Sequence, residues 1–154
     1  MKKKLTMILL ALVLSVTGIF SVNIQANAEE IGEEVPYESL LTEDSLIGRM
    51  QSQTWGVYLV DGTSTINDAG GGKIGAGGAT TAASYCKVTV NVIVERKVNG
   101  SWARVTSWSA TNSNALFVTT GKAISVASGY YYRVRCTHYA ASDSSSSFTD
   151  ALWM

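Results

Sequence analysis

Histidine, cysteine and unbalanced charge are scarce in this chain, and each scarcity closes a class of chemistry. One histidine and two cysteines in 154 residues leave only scattered carboxylates as further metal ligands, short of the clustered sets that zinc or other transition metals need. Asp61, Asp68, Asp143 and Asp150 could meet at loops, but they lack the spacing of a calcium-binding loop. His138, Asp143 and the nearby serines are the residue types of a Ser-His-Asp hydrolase, yet the context that activates a serine nucleophile is missing. The glycine-rich run from Asp68 to Ala79 has no strong strand before it, no helix after it and no Lys-Ser/Thr pair, so it is not a phosphate-cradling loop. The chain is therefore read as a non-enzyme with no cofactor and no metal. Twelve Lys and Arg against twelve Asp and Glu give no basic footprint for nucleic acid.

Long apolar runs are equally few. The only one, Leu5 to Phe20, follows Lys2, Lys3 and Lys4 and precedes Ala26-Asn27-Ala28, the pattern of a cleaved signal peptide over residues 1–28. It is shorter than the roughly 20 residues that a bilayer span needs. No stable membrane anchor is expected, and the product is read as secreted and extracellular. Residues 29–53 are acidic, with seven carboxylates and no basic residue before Arg49, and are read as a mobile arm: either a solvated spacer or a removable propeptide lying on the basic domain. Residues 54–154 are long enough for one core, and from Ile47 onward the chain carries nine Lys and Arg against five Asp and Glu.

What is abundant is strand periodicity. Cys86, Val88, Val90, Val92 and Val94 alternate with Lys87, Thr89, Asn91 and Glu95, so one face is apolar. Asn99-Gly100 tolerates positive φ at both turn centres, which predicts a tight hairpin returning through Trp102 to Trp108. From Gly129, Tyr130, Tyr132, Val134 and Cys136 alternate with Tyr131, Arg133, Arg135 and Thr137. Weaker signals predict a hairpin turning at Asp61-Gly62, a flexible loop or weak edge strand around Lys73-Ile74, and a polar hairpin tip over Ser142 to Ser147. With no clear helix, the fold expected is all-β: an antiparallel β-sandwich or small open barrel of about eight to nine short strands.

Cys86 and Cys136 each fall on the apolar side of a strong strand, so in an exported protein they are expected to form one disulfide; the alternative is two buried thiols. Closing that loop would add roughly 4 kcal/mol on the chain-entropy scale. The order Cys, Trp, Cys is similar to that of immunoglobulin-like domains, but the Asn-Gly turn makes adjacent strands of segments that those domains place in opposite sheets.

Val92-Ile-Val-Glu-Arg-Lys-Val-Asn-Gly-Ser-Trp102, Thr106-Ser-Trp108, Ser128-Gly-Tyr-Tyr-Tyr-Arg-Val-Arg135 and Phe148-Thr-Asp-Ala-Leu-Trp153 resemble a family of small secreted β-domain proteins of Gram-positive bacteria. The resemblance covers nearly the whole mature chain. It implies export and one β domain behind an acidic arm, and it supplies no catalytic residue.

If Tyr130, Tyr132, Val134 and Cys136 face inward, then Tyr131, Arg133, Arg135 and Tyr139 face outward, joined by Tyr85 and Lys87 from the valine-rich strand. Aromatic rings stack on sugars and guanidinium groups fork onto carboxylate or phosphate. These six residues are the candidate binding face for a cell-wall glycan or anionic polymer; the plain alternative is a set of solvated strand residues in cross-strand pairs. A reading from another class is a bacteriocin-like effector whose acidic propeptide is removed.

Overall fold

The computed structural model describes residues 31–51 and 56–154. The signal peptide, residues 29 and 30, and the stretch 52–55 that holds Trp55 lie outside the described residues. Eight strands form one antiparallel sheet that does not close: β1 (Glu33–Glu34), β2 (Leu46–Arg49), β3 (Leu59–Gly70), β4 (Lys73–Val98), β5 (Ser101–Ser125), β6 (Tyr131–Ala140), β7 (Asp143–Phe148) and β8 (Leu152–Trp153). One 3-10 turn, Tyr37–Leu40, lies between β1 and β2.

The expected central hairpin is present. Asn99 and Gly100 have φ of 49° and 83°, and β4 pairs with β5 from Val98 opposite Ser101 back to Lys73 opposite Ser125. A straight strand of this length would run about 85 Å, far beyond a domain whose radius of gyration is about 13 Å. The pair bends where its ladder breaks, between Thr81 and Cys86. On one side of the bend β4 pairs with β3; on the other it pairs with β6.

The bend folds the sheet over itself, an arrangement that fits a β-sandwich. Val88, Val90, Val92, Val94, Tyr132, Val134 and Cys136 of one layer bury against Ile66, Ile74, Ala76, Val118 and Ile124 of the other. The layers approach closely where one side lacks a side chain. A Cβ on Gly62 would lie 2.4 Å from the His138 ring, and one on Gly78 would lie 2.6 Å from Cys136 Sγ.

That contact corrects the expected turn at Asp61-Gly62. Gly62 is not a turn residue but the gap that admits His138, and β3 runs through it to turn at Gly71-Gly72, with φ of 62° and 74°. The segment around Lys73-Ile74 is neither a loop nor an edge strand: it lies between β3 and β5. Nor are the serines a hairpin tip. The turn is at Ala141, with φ of 50°, and Asp143–Phe148 pairs along β6.

The acidic segment is packed where it is described, which corrects the reading of 29–53 as a mobile arm. β1 pairs with the end of β5, β2 pairs with β3, and Tyr37 and Leu40 are buried. Leu40 sits in a pit floored by Gly75, Gly77 and Gly121; a Cβ on any of them would come within 2.9 Å of its methyl groups. Tyr37 Oη lies 2.9 Å from both Thr63 Oγ1 and Thr65 Oγ1, and Asn67 Nδ2 donates to Leu40 O at 3.0 Å. We expect Leu40→Ala to cost about 2–4 kcal/mol in urea unfolding, the cost of emptying a buried leucine site; a change near zero would mean that the segment does not dock.

The expected disulfide is absent, and both cysteines are free. Cys136 stands opposite Val92, six residues along β4 from Cys86, a separation of roughly 20 Å where a disulfide needs Cα atoms within about 7 Å. Shared apolar periodicity put both cysteines toward the core without fixing their height along it. Unreduced protein in denaturant is expected to take up two iodoacetamide groups by mass spectrometry, and native protein to protect Cys136, whose thiol burial pushes far above its ordinary pKa.

Candidate functional site

On the solvent side of β6, opposite the core valines, a carboxylate is held between two arginines. Arg133 Nε donates to Glu95 Oε2 at 2.7 Å and Arg135 Nε to Glu95 Oε1 at 3.2 Å. The register makes this possible by setting Glu95 opposite Arg133 on β6 and opposite Arg104 on β5. Glu95 is only 7% exposed although it faces outward, because the guanidinium groups cover it. Arg133 lies over the Trp102 ring at 4.4 Å from its centroid and 5.6 Å from that of Phe148. A guanidinium stacked on rings and tied through Nε has little rotational freedom left to lose on meeting an oxyanion.

The candidate face divides along the strand. Tyr131, Arg133 and Arg135 follow one another on it, with Trp153 packed edge-on against Tyr131 at 4.8 Å between centroids. Tyr139 is exposed at the other end of β6, opposite Thr89 and Ser144. Lys87 is exposed at a ladder irregularity beside Cys86, and Tyr85 lies in the break between Thr81 and Cys86. The structure therefore groups three of the six with Glu95, Trp102, Phe148 and Trp153. Trp102 was within reach of sequence reasoning, since a two-residue turn at Asn99-Gly100 sets it opposite Lys97; Phe148 and Trp153 depended on the path of β7 and β8.

A second polar cluster lies between the layers. His138 is fully buried, with Nδ1 2.7 Å from Thr80 Oγ1 and Nε2 2.8 Å from Ser147 Oγ. Thr80 donates its own hydroxyl hydrogen to Thr89 O at 3.2 Å, so it accepts from Nδ1–H, and Nε2 accepts from Ser147. The Ser-His contact is the first step of a catalytic geometry, but the third member is a threonine and both side chains are shut away from solvent. Its effect is on stability. Burial lowers the His138 pKa to about 4, with Asp61 acting weakly in the opposite sense.

The unfolded chain then binds a proton near pH 6.5 that the folded chain refuses until about pH 4, so stability falls as pH drops through that window. Asp143 acts in the same direction. The Tyr58 and Leu59 amides donate to its Oδ2 at 2.6 and 3.1 Å and hold its pKa below the carboxylate range, so its contribution is lost in acid. Urea midpoints are expected to fall between pH 6.5 and 4 by an amount corresponding to about 3 kcal/mol for His138. A flat profile would place the imidazole in water.

Three of the four aspartates considered for calcium are occupied separately: Asp61 with Arg49 and the Gly62 amide, Asp68 with the Gly70 amide, Asp143 with the Tyr58 and Leu59 amides. Among the described residues no group of three His, Cys, Asp or Glu side chains is placed to hold a metal, and no helix is long and apolar enough to cross a membrane. A cleft of about 510 Å³ opens between Arg49 and Gln51 on one side and Ser145, Ser146 and Phe148 on the other, so Phe148 borders both the cleft and the arginine cluster.

No protein-family model matches the sequence, and no curated protein matches it. Among solved structures, the solution structure of R. palustris CsgH superposes with a TM-score of 0.38 at 15% identity, over 68% of this chain and 92% of that one. So loose a superposition assigns neither family nor function.

Proposed function

We propose that this is a secreted, non-catalytic module that binds a glycan or anionic polymer of the bacterial cell envelope through the outer face of β6. The observation that carries this reading is the fixing of Arg133 by Glu95 and the Trp102 ring beside a more exposed Arg135. A rigid cationic pair flanked by exposed aromatic rings suits an acidic, ring-containing ligand better than it suits bulk water. The signal-peptide pattern of residues 1–28 and the resemblance to secreted proteins of Gram-positive bacteria support the location. Removal of an acidic propeptide is the weaker reading, because the described part of that segment docks on the outer face of the other layer, through Tyr37 and Leu40, and does not cover the arginines.

In a pull-down on purified wall polymers, the native protein should be retained and the double variant Arg133→Ala/Arg135→Ala should not. Equal retention of the two would sink the proposal. Mass spectrometry of culture supernatant addresses the other reading: a product beginning near residue 29 supports a retained segment, and one beginning near residues 51–55 supports its removal.

A further inference from the structure

The two arginines on β6 are not equivalent, and their difference specifies a ligand. Arg133 is committed: its Nε bond to Glu95 is the shorter, at 2.7 Å, two rings flank its guanidinium, and its side chain is 22% exposed. Arg135 makes the longer Nε contact, at 3.2 Å, and its side chain is 40% exposed. Only Nε of Arg135 is engaged with Glu95. An arginine has five N–H donors in one plane, so the outer fork, the geometry that accepts a carboxylate through two parallel bonds, is left to a ligand. Glu95 aims that fork without competing for it.

At the opposite end of the same face, Tyr131 and Trp153 are 46% and 58% exposed and hold one another edge to face. Two aromatic rings inclined at 64° in water form a shallow corner, and the flat apolar side of a sugar ring can cover one of them. Tyr131 and Arg135 are four residues apart on one strand, about 13 Å. A single small anion cannot span that distance; an extended chain of rings can. Phe148, 60% exposed opposite Arg135, supplies a further ring at the charged end.

We propose that this face is a two-point site for an acidic polysaccharide, in which the Tyr131–Trp153 pair seats a sugar ring and Arg135 takes the carboxylate of a uronic-acid unit further along the chain. Arg133 and Glu95 are positioning residues. The proposal rests on the binding reading above and narrows it from anionic or glycan to both at once. Charge alone would satisfy neither the exposed aromatic corner nor the separation between corner and arginine.

The test is affinity electrophoresis of the full-length protein in gels containing polygalacturonate, poly-L-glutamate or dextran, which offer acidic sugar, acid without sugar and sugar without acid. Retardation is expected in polygalacturonate alone. Trp153→Ala and Arg135→Gln should each weaken it about tenfold, and added salt should act more strongly on the Trp153 variant, which keeps the arginine, than on the Arg135 variant. Arg135→Gln leaves Glu95 its closer partner Arg133, so an unchanged thermal midpoint confirms that the variant is folded. Equal retardation in poly-L-glutamate overturns the sugar subsite, and equal retardation in dextran overturns the carboxylate subsite; either result leaves retention on wall polymers standing. No retardation in any gel, together with no retention on wall polymers, would remove the binding reading as well.

Discussion

The two layers of this sheet meet at a distance that only glycine permits, and the rest of the structure follows from that approach. Gly62 makes room for the His138 ring, Gly78 for Cys136, and Gly48 for the Phe148 carbonyl, where an added Cβ would come within 1.9 Å. Each glycine belongs to the layer of β2, β3 and the first part of β4, and each residue it admits belongs to β6 or β7. The sites are spread across the interface, so they fix how the folded sheet closes as well as how near it comes. Because interiors pack as densely as organic crystals, a methyl group at any of the three would force a backbone to move.

That closure sets the environment of the polar groups between the layers. His138 is neutral and hydrogen-bonded at both nitrogens because it lies inside the closed layers. One residue in either direction along β6, Thr137 and Tyr139 lie on the outer face, and further along that face stand Arg135 and Arg133. Glu95 shows how far a surface residue can be drawn into that logic: with almost none of its surface left in contact with solvent, it behaves as a buried anion whose two partners complete its coordination. The arginine face is thus a consequence of strand register before it is a recognition surface.

Much of this could be read from residues in order. The period-two runs of Cys86 to Val94 and Tyr132 to Cys136 gave correct inside and outside assignments, and Asn99-Gly100 gave the correct turn, because alternation and turn chemistry are local; Tyr130, placed inward by the same alternation, precedes β6 and is 37% exposed. The errors share a cause: they concern which segments become neighbours. Asp61-Gly62 has turn composition, yet a ring from β6 fills the space above it. Glycines 75, 77 and 78 have weak strand propensity, yet a central strand with neighbours on both sides and side chains pressing on both faces needs residues without bulk. The disulfide failed for the same reason, since alternation determines the face and leaves position along it open. At the site, Arg133 and Arg135 were legible as outward cations, whereas Glu95 as their common partner required the pairing of β4 with β6.

Leu40 and its glycine pit carry an implication for the order in which the molecule is assembled. The pit exists only once β4 lies beside β5, since Gly75 and Gly77 come from one and Gly121 from the other. The segment that fills it precedes both in the chain. The contacts of Leu40 with the three glycines span sequence separations of 35 to 81 residues, and closing such loops costs entropy before any contact repays it. Until the acidic segment finds its seat, three glycines and two threonine hydroxyls stand open on the sheet.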